Sequence, residues 1–201
     1  MTSQALSPDQ LDILVLCGGQ GTRLGGDDKP LLSVGNARLV DYVFESLPQA
    51  RRTLVSANRN LATYGQLPCD LVTDIEPGIG PLAGLLSARE RLSAKYVYVV
   101  PGDTPLLPKN LAAELFSAAQ RNQQAAAVCR VGEQAHYLPM LVRRTALSTL
   151  DTYLSSSARS VKGWLKVIGY AEHQRPATEL GLTNVNTAAD LAALHSLLNN
   201  Q

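Results

Sequence analysis

The sequence predicts an α/β fold: a mostly parallel, twisted sheet layered between helices as a three-layer sandwich, with a Rossmann-like half. Three observations predict it. Short apolar runs rich in β-branched residues alternate with segments of helical spacing along the chain. The clearest runs stop at glycine, proline or aspartate, as strands do when they enter loops above a sheet. No repeat, low-complexity tract or linker divides the 201 residues, a length that suits one domain with right-handed crossovers between parallel strands.

Residues 1–10 read as a flexible tail and residues 11–201 as the single domain. Residues 11–17 (LDILVLC) form a buried strand that runs into a glycine loop. Leu39 to Leu47 has helical spacing, with Leu39, Val43, Phe44 and Leu47 on one face. Residues 52–57 and 70–73 read as the next strands. Pro81 opens a helix, because its missing N–H is not needed in a first turn. Residues 95–100 (KYVYVV) are the clearest strand and end at Pro101-Gly102-Asp103. A helix over 109–121, strands over 124–131 and 136–143, two helical segments between 144 and 166, and a strand over 167–173 follow. The last helix spans 187–199, with Asn186 or Thr187 as its N-cap.

Composition narrows the function classes. Hydrophobic residues make up 45% and charged residues 17%, so a substantial core needs no disulfides. The formal net charge of +1 gives no whole-molecule field toward nucleic acid or membrane, and neither is an expected partner. Cys17, Cys69 and Cys129 are far apart and lack metal-ligand spacing, which fits reduced, mostly buried thiols. The N-terminus has no basic-then-apolar signal, and no apolar run nears membrane-spanning length. The expected setting is cytoplasmic.

In such folds ligands bind beyond the carboxyl ends of the strands. The loop from Gly18 to Lys29 carries five glycines and the cations Arg23 and Lys29 directly after the first strand. Glycines let backbone N–H groups approach phosphate oxygens, Arg23 suits bidentate phosphate contact, and Lys29 acts as a point charge. The segment is neither a P-loop, lacking G-x-x-x-x-G-K-[ST], nor the dinucleotide fingerprint, which fails at Leu24. Asp103, at a strand end, is a natural Mg²⁺ ligand or a turn aspartate. Asp74 is an acceptor for the N1–H and N2–H₂ of guanine or a solvated turn residue. Gly80-Pro81-Leu82-Ala83-Gly84 is a tight turn into a helix whose N-terminus could face an anion.

The segment Leu16 to Leu31 resembles the N-terminal motif of the nucleotidyltransferase superfamily, L-x-G-G-x-x-x-R-[ML]-G-x-D-K. Gly18 to Leu24 also matches the G-G-x-G-T-R-L of sugar-phosphate enzymes, but Asp28-Lys29 looks like the molybdenum-cofactor guanylyltransferase branch. Gly80 to Gly84 resembles that branch's G-P-L-A-G, and Ser56-Ala57-Asn58-Arg59 its N-A-N-R, with Ser56 in place of the first asparagine. Asn184 to Leu191 looks like its N-V-N-T-P-E-D-L, with Ala188 and Ala189 replacing Pro and Glu. Related cytidylyltransferases carry aspartates where Asn184 and Asn186 stand.

The resemblance implies a nucleotide-diphospho-sugar transferase-like fold, Mg²⁺ as cofactor, and GTP and molybdopterin, or molybdenum-molybdopterin, as substrates. It puts other proteins of molybdenum-cofactor biosynthesis among the partners. It implies catalytic roles for Arg23, Lys29 and Asp103, with Asp103 as metal ligand. Nucleotide contacts fall to Leu16, Cys17, Gly18, Gly19, Lys29, Ser56, Asn58, Asp74 and Asp103. Acceptor contacts fall to Asn184, Asn186, His136 and Arg159. His136 on a strand is also a common structural feature, and Arg159 with Lys162 and Lys166 near Trp164 is also an ordinary solvated basic face. The implied product is molybdopterin guanine dinucleotide. A phosphate nucleophile is already largely dianionic near neutral pH, so no Ser-His-Asp or Cys-His set is needed. The alternatives are another small nucleotidyltransferase, cytidylyl or sugar-phosphate, and a non-catalytic nucleotide-binding module.

Overall fold

The computed structural model describes residues 5–18, 28–75, 79–176, 182, 185 and 187–198. A 3₁₀ turn, Pro8–Gln10, leads into β1, Leu11–Leu16. A hairpin of two-residue strands follows, β2 (Ser33–Val34) and β3 (Ala37–Arg38), then α1 (Leu39–Ser46) and β4 (Arg52–Ser56). One helical turn, α2 (Leu61–Tyr64), precedes β5 (Asp70–Val72), α3 (Pro81–Ala88) and β6 (Tyr96–Pro101). The second half contains α4 (Leu111–Arg121), β7 (Ala126–Val131), β8 (Gln134–Arg143), α5 (Leu150–Ser155), α6 (Val161–Ile168), β9 (Tyr170–Arg175) and α7 (Ala188–Leu198).

Seven strands form one sheet in the order β5-β4-β1-β6-β8-β7-β9. Only β8 runs against its neighbours, β6 and β7; the other pairings are parallel. The expected mostly parallel sheet is therefore present, with one antiparallel strand inserted. Its cause is local. Between β7 and β8 only Gly132 and Glu133 intervene, and Gly132 has φ +56°, so the chain turns as a hairpin where a crossover has no room.

Both faces of the sheet are buried, which makes the three layers. Alternate strand residues such as Ile13, Val15, Tyr98 and Leu141 face α1 and α4. The intervening ones, such as Leu14, Leu54, Val99 and Val142, face α3, α5 and α6. Helix α4 buries Leu111, Ala112, Leu115, Phe116, Ala118 and Ala119, the stripe that its helical spacing dictates. Phe116 meets Tyr96 edge to face with centroids 5.1 Å apart. Trp164 is fully buried, and its indole N–H donates to Thr149 Oγ1 at 2.9 Å. A third cluster joins Val34 and Leu39 to Val185 and Leu194, so α7 packs on the hairpin and the start of α1. No helix among the described residues is long and apolar enough to cross a membrane.

Two helix starts follow from sequence. Pro81 occupies the first turn of α3 after Gly80, whose φ of +74° only glycine adopts readily. Thr187 and Asp190 cap α7 reciprocally: the Thr187 N–H donates to Asp190 Oδ2 at 2.8 Å and the Asp190 N–H to Thr187 Oγ1 at 3.1 Å. Asn186, the other N-cap expectation, lies outside the described residues.

Asp12 is a fully buried carboxylate on central strand β1. Its Oδ2 accepts the N–H groups of Ser93 at 2.6 Å and Ala94 at 2.8 Å. These bonds pin the approach to β6 against β1 and hold the two strands in register. Asp12→Ala should orphan both donors and lower unfolding free energy by about 2–3 kcal/mol, read by urea denaturation. A loss within measurement error would show that register is set without it.

Candidate active site

The site grows from the ends of three parallel strands that stop at one level. Leu16 of β1 lies opposite Ser56 of β4 on one side and Pro101 of β6 on the other. Beyond the strands the ladder continues by single bonds: Cys17 N–H to the Ser56 carbonyl at 2.8 Å, and Gly102 N–H to the Leu16 carbonyl at 2.9 Å. Gly18, Asn58 and Asp103 therefore emerge side by side, where the strand-end rule expects a ligand.

On the β4–β5 side, Asp74 is held by a closed set of hydrogen bonds. Ser56 Oγ donates to Asp74 Oδ1 at 2.8 Å, and Asn58 Nδ2 donates to Asp74 Oδ2 at 2.8 Å. The Asp74 N–H in turn donates to Asn58 Oδ1 at 2.8 Å. The next residue is anchored too, since the Ile75 N–H donates to Ser87 Oγ of α3 at 2.8 Å. Each carboxylate oxygen keeps acceptor capacity after one bond. Two glycines make close approaches, tight at Gly18 and prohibitive for any side chain at Gly84. A Cβ on Gly18 would lie 3.3 Å from both Asn58 Nδ2 and Asp74 Oδ2, and one on Gly84 would lie 2.5 Å from Ser56 Oγ. Ser56 is thus both the lock on Asp74 and the surface on which α3 rests.

On the β6 side, Lys29 Nζ contacts Asp103 Oδ2 in a half-buried ion pair. Lys29 opens the 3₁₀ turn Lys29–Leu31, and the Pro30 ring packs beside Gly102. Asp28 Oδ2 accepts from Asn60 Nδ2 at 3.1 Å, tying this turn to the loop after β4. The Val185 N–H donates to the Asp103 carbonyl at 3.1 Å, which ties Val185 to the loop after β6. Cys17 sits beneath, with its Sγ filling the space above Gly102. Burial pushes its thiol well above the ordinary range; the Tyr64 hydroxyl opposes this weakly, and the Asp28 and Asp103 carboxylates add to it. Cys17 stays a protonated spacer and is not a nucleophile.

The structure thus brings together Leu16, Cys17, Gly18, Lys29, Ser56, Asn58, Asp74 and Asp103. Arg23, Gly19, Asn184 and Asn186 lie outside the described residues. His136 stands on β8 opposite Cys129, half-buried, and burial lowers its pKa below the usual histidine value. Its imidazole is neutral at pH 7. Arg159 is engaged elsewhere: its guanidinium donates to the carbonyls of Leu154 at 2.6 Å and Ala158 at 2.9 Å and closes the end of α5. Lys162 lies over the Tyr137 ring, 5.6 Å from its centroid.

Sequence reasoning missed four participants: Ser87, Asn60, Val185 and the buried contact of Cys17 with Gly102. Only Ser87 had a readable signal, a hydroxyl on the polar side of an otherwise apolar helix. It also missed the tie between α4 and β9, where Glu114 Oε2 takes Arg175 and, at 3.1 Å, His173 Nε2.

Among the described residues no group of three or more metal-type ligands converges. The single Asp103 carboxylate at the end of β6 does fit Mg²⁺, which takes one or two carboxylates and completes its shell with phosphate oxygens and water. Two carboxylates held over adjacent parallel strand ends, one by neutral donors and one by a cation, suit a nucleotidyltransferase. Comparison with known proteins agrees and is narrower. The chain belongs to the family described as the MobA-like NTP transferase domain, which matches residues 13–175. It is 32% identical to the molybdenum cofactor guanylyltransferase of Shewanella sp. (strain MR-4), over 94% of this chain and 98% of that one. It is 29% identical to the same-named protein of Shewanella halifaxensis, over 96% and 97%. In fold it is similar to the molybdopterin-guanine dinucleotide biosynthesis protein A of Archaeoglobus fulgidus, with TM-score 0.75 and 17% identity over 94% of this chain and 100% of that one. The 2-C-methyl-D-erythritol 4-phosphate cytidylyltransferase of Thermus thermophilus has TM-score 0.70 and 17% identity, covering 98% and 100%.

Asn58→Ala removes one donor to the Asp74 carboxylate and the acceptor for the Asp74 N–H. Nucleotide affinity should fall about tenfold or more, the worth of one to two such bonds, with little change in melting temperature because Asn58 is exposed. Calorimetry reads the first and a thermal melt the second; unaltered affinity would separate Asp74 from the nucleotide.

Proposed function

We propose that this chain transfers GMP from Mg-bound GTP to the terminal phosphate of molybdopterin, or of its molybdenum-bearing form. An acceptor phosphate oxygen bonds to the α-phosphorus, the bond to the β-phosphate's bridging oxygen breaks, and pyrophosphate leaves. Molybdopterin guanine dinucleotide remains. The observation that carries the reading is the Asp74 carboxylate, fixed by Ser56 and Asn58 beside Gly18, in a chain about a third identical to molybdenum cofactor guanylyltransferases along nearly its whole length.

A fixed carboxylate suits guanine because N1–H and N2–H₂ present two adjacent donors, which neither adenine nor cytosine offers. Ser56 supports this choice at one remove: its hydroxyl orients Asp74 where the family's asparagine would reach further. The fold is shared with cytidylyltransferases and leaves the base open, so Asp74 and the family relationship carry the specificity.

The chemistry needs positioning more than proton transfer. Gly18 and the loop that follows cradle the triphosphate, and Lys29 neutralises charge as it builds on the transferred group. The family resemblance adds Arg23 to that task. Asp103 would hold Mg²⁺, which when bound neutralises the phosphates and the departing pyrophosphate. The family resemblance gives the acceptor to Asn184 and Asn186, which flank the Val185 whose N–H bonds to the Asp103 carbonyl, and to neutral His136 on β8. The acceptor phosphate is largely dianionic near pH 7 and needs no base.

Calorimetry with GTP, CTP, ATP and UTP in Mg²⁺ tests the base assignment. GTP should bind at least tenfold tighter than the other three. CTP or UTP binding as tightly as GTP would sink the guanylyl reading and leave the fold argument standing.

A further inference from the structure

We propose that Asn60 is a positioning residue for Lys29: its side-chain amide sets the Asp28 carboxylate, and with it the start of the turn that points Lys29 at the nucleotide's phosphates. The inference rests on the reading of Lys29 as a phosphate ligand. Three observations carry it. Asn60 Nδ2 donates to Asp28 Oδ2 at 3.1 Å, joining two loops 32 positions apart in the chain. Asp28 directly precedes the 3₁₀ turn Lys29–Leu31 and closes it, since the Leu31 N–H donates to the Asp28 carbonyl at 2.8 Å. Asn60 stands at the N-cap of α2 but makes no side-chain cap bond there. A capping asparagine ordinarily accepts an N–H of its own helix through its side-chain oxygen. Here α2 does without that bond, and the side chain reaches the other loop instead.

The backbone of Asn60 supports that direction. Its φ of +51° and ψ of +32° lie in the left-handed region, which asparagine tolerates better than most residues, whereas an ordinary N-cap is extended. Its carbonyl accepts the N–H groups of Thr63 at 2.9 Å and Tyr64 at 3.1 Å, and Tyr64 is fully buried in the core. The amide therefore leaves from a fixed base, although Asn60 itself is exposed. Pro30, buried beside Gly102, anchors the Lys29 turn from its other side. The same stretch also serves the other half of the site, because Asn58, two residues earlier, holds the Asp74 carboxylate. One loop after β4 thereby sets two carboxylates, Asp74 through Asn58 and Asp28 through Asn60. The first reads the base, and the second orients the neighbouring lysine. Carrying both on one loop fixes base recognition relative to charge neutralisation, an alignment that in-line transfer requires.

Calorimetric binding of two probes to the chain, inorganic tripolyphosphate for the phosphate half and guanosine for the base half, tests this apart from turnover. Asn60→Gly deletes the amide and keeps the left-handed backbone, which glycine adopts readily. It should weaken tripolyphosphate binding about three- to tenfold, the worth of one hydrogen bond to a charged group read as affinity. Guanosine should bind within about twofold of wild type, because Asn58 and Asp74 are untouched. The melting temperature should move little, as Asn60 is exposed. Exchanging the pair, Asp28→Asn together with Asn60→Asp, restores a donor and an acceptor with their places reversed. It should recover tripolyphosphate affinity to within about twofold of wild type. Unchanged tripolyphosphate binding by Asn60→Gly, an equal loss for guanosine, an exchanged pair no better than Asn60→Gly, or no tripolyphosphate binding by wild type would each overturn the proposal. Failure of the guanylyl reading would appear instead as guanosine binding wild type no tighter than cytidine, with the tripolyphosphate results unchanged.

Discussion

Strand β1 is bonded to β4 on one side and β6 on the other, and the register of those two ladders decides what stands above the sheet. With Leu16 opposite both Ser56 and Pro101, the three chains leave the sheet together. A slip of one residue would turn every β1 side chain to the other face. It would exchange Ile13 and Val15 with Leu14 between two closed cores, and it would part Gly18 from Asp74 and Asp103 from Lys29. The buried Asp12 carboxylate, clasped by two N–H groups ahead of β6, guards that register at the far end of the same strand. Fold stability and site geometry thus share one cause.

Two aspartates of the site have the same chemistry and different jobs, and their partners make the difference. Asp74 is fixed by neutral donors on both oxygens and presents a negative edge of set direction, suited to reading a neutral base. Asp103 instead meets a cation, the Lys29 ammonium. Gly84 and Ser87 matter to the first for the same reason: α3 must come close enough to brace Ser56 and the Ile75 backbone. The C-terminal segment matters to the second, since α7 packs on the hairpin and α1 while Val185 bonds to Asp103.

Much of this was legible in the sequence because strong local patterns carried it. KYVYVV followed by Pro-Gly-Asp could hardly be anything but a strand delivering a carboxylate, and the glycine loop after LDILVLC marked the same end of the sheet. Most element ends were read to within about two residues, and the start of β9 to within three. The antiparallel β8 escaped because alternation alone does not give direction; its signal was the two-residue Gly132-Glu133 turn, too short for a crossover. The β2–β3 hairpin escaped because two residues show no period. Arg159 was read as an acceptor contact or part of a solvated basic face, and its bonds to the Leu154 and Ala158 carbonyls at the end of α5 were not legible, since composition cannot tell a phosphate ligand from a carbonyl ligand. Likewise, Ser56 read as a nucleotide contact in place of an asparagine, and only three dimensions reveal the hydroxyl aimed at Asp74 and the glycine of α3 against it.

The central claim is that the strand-end cluster moves a nucleotidyl group to a phosphate. The most direct measurement supplies GTP labelled in the α-phosphate, Mg²⁺ and molybdopterin to the purified chain and follows the label by chromatography while assaying pyrophosphate. The account predicts that label appears in a molybdopterin dinucleotide, one pyrophosphate released for each label transferred, and that none is transferred when molybdopterin is omitted. Label recovered only as unchanged GTP, with no pyrophosphate formed in the complete mixture, would contradict it.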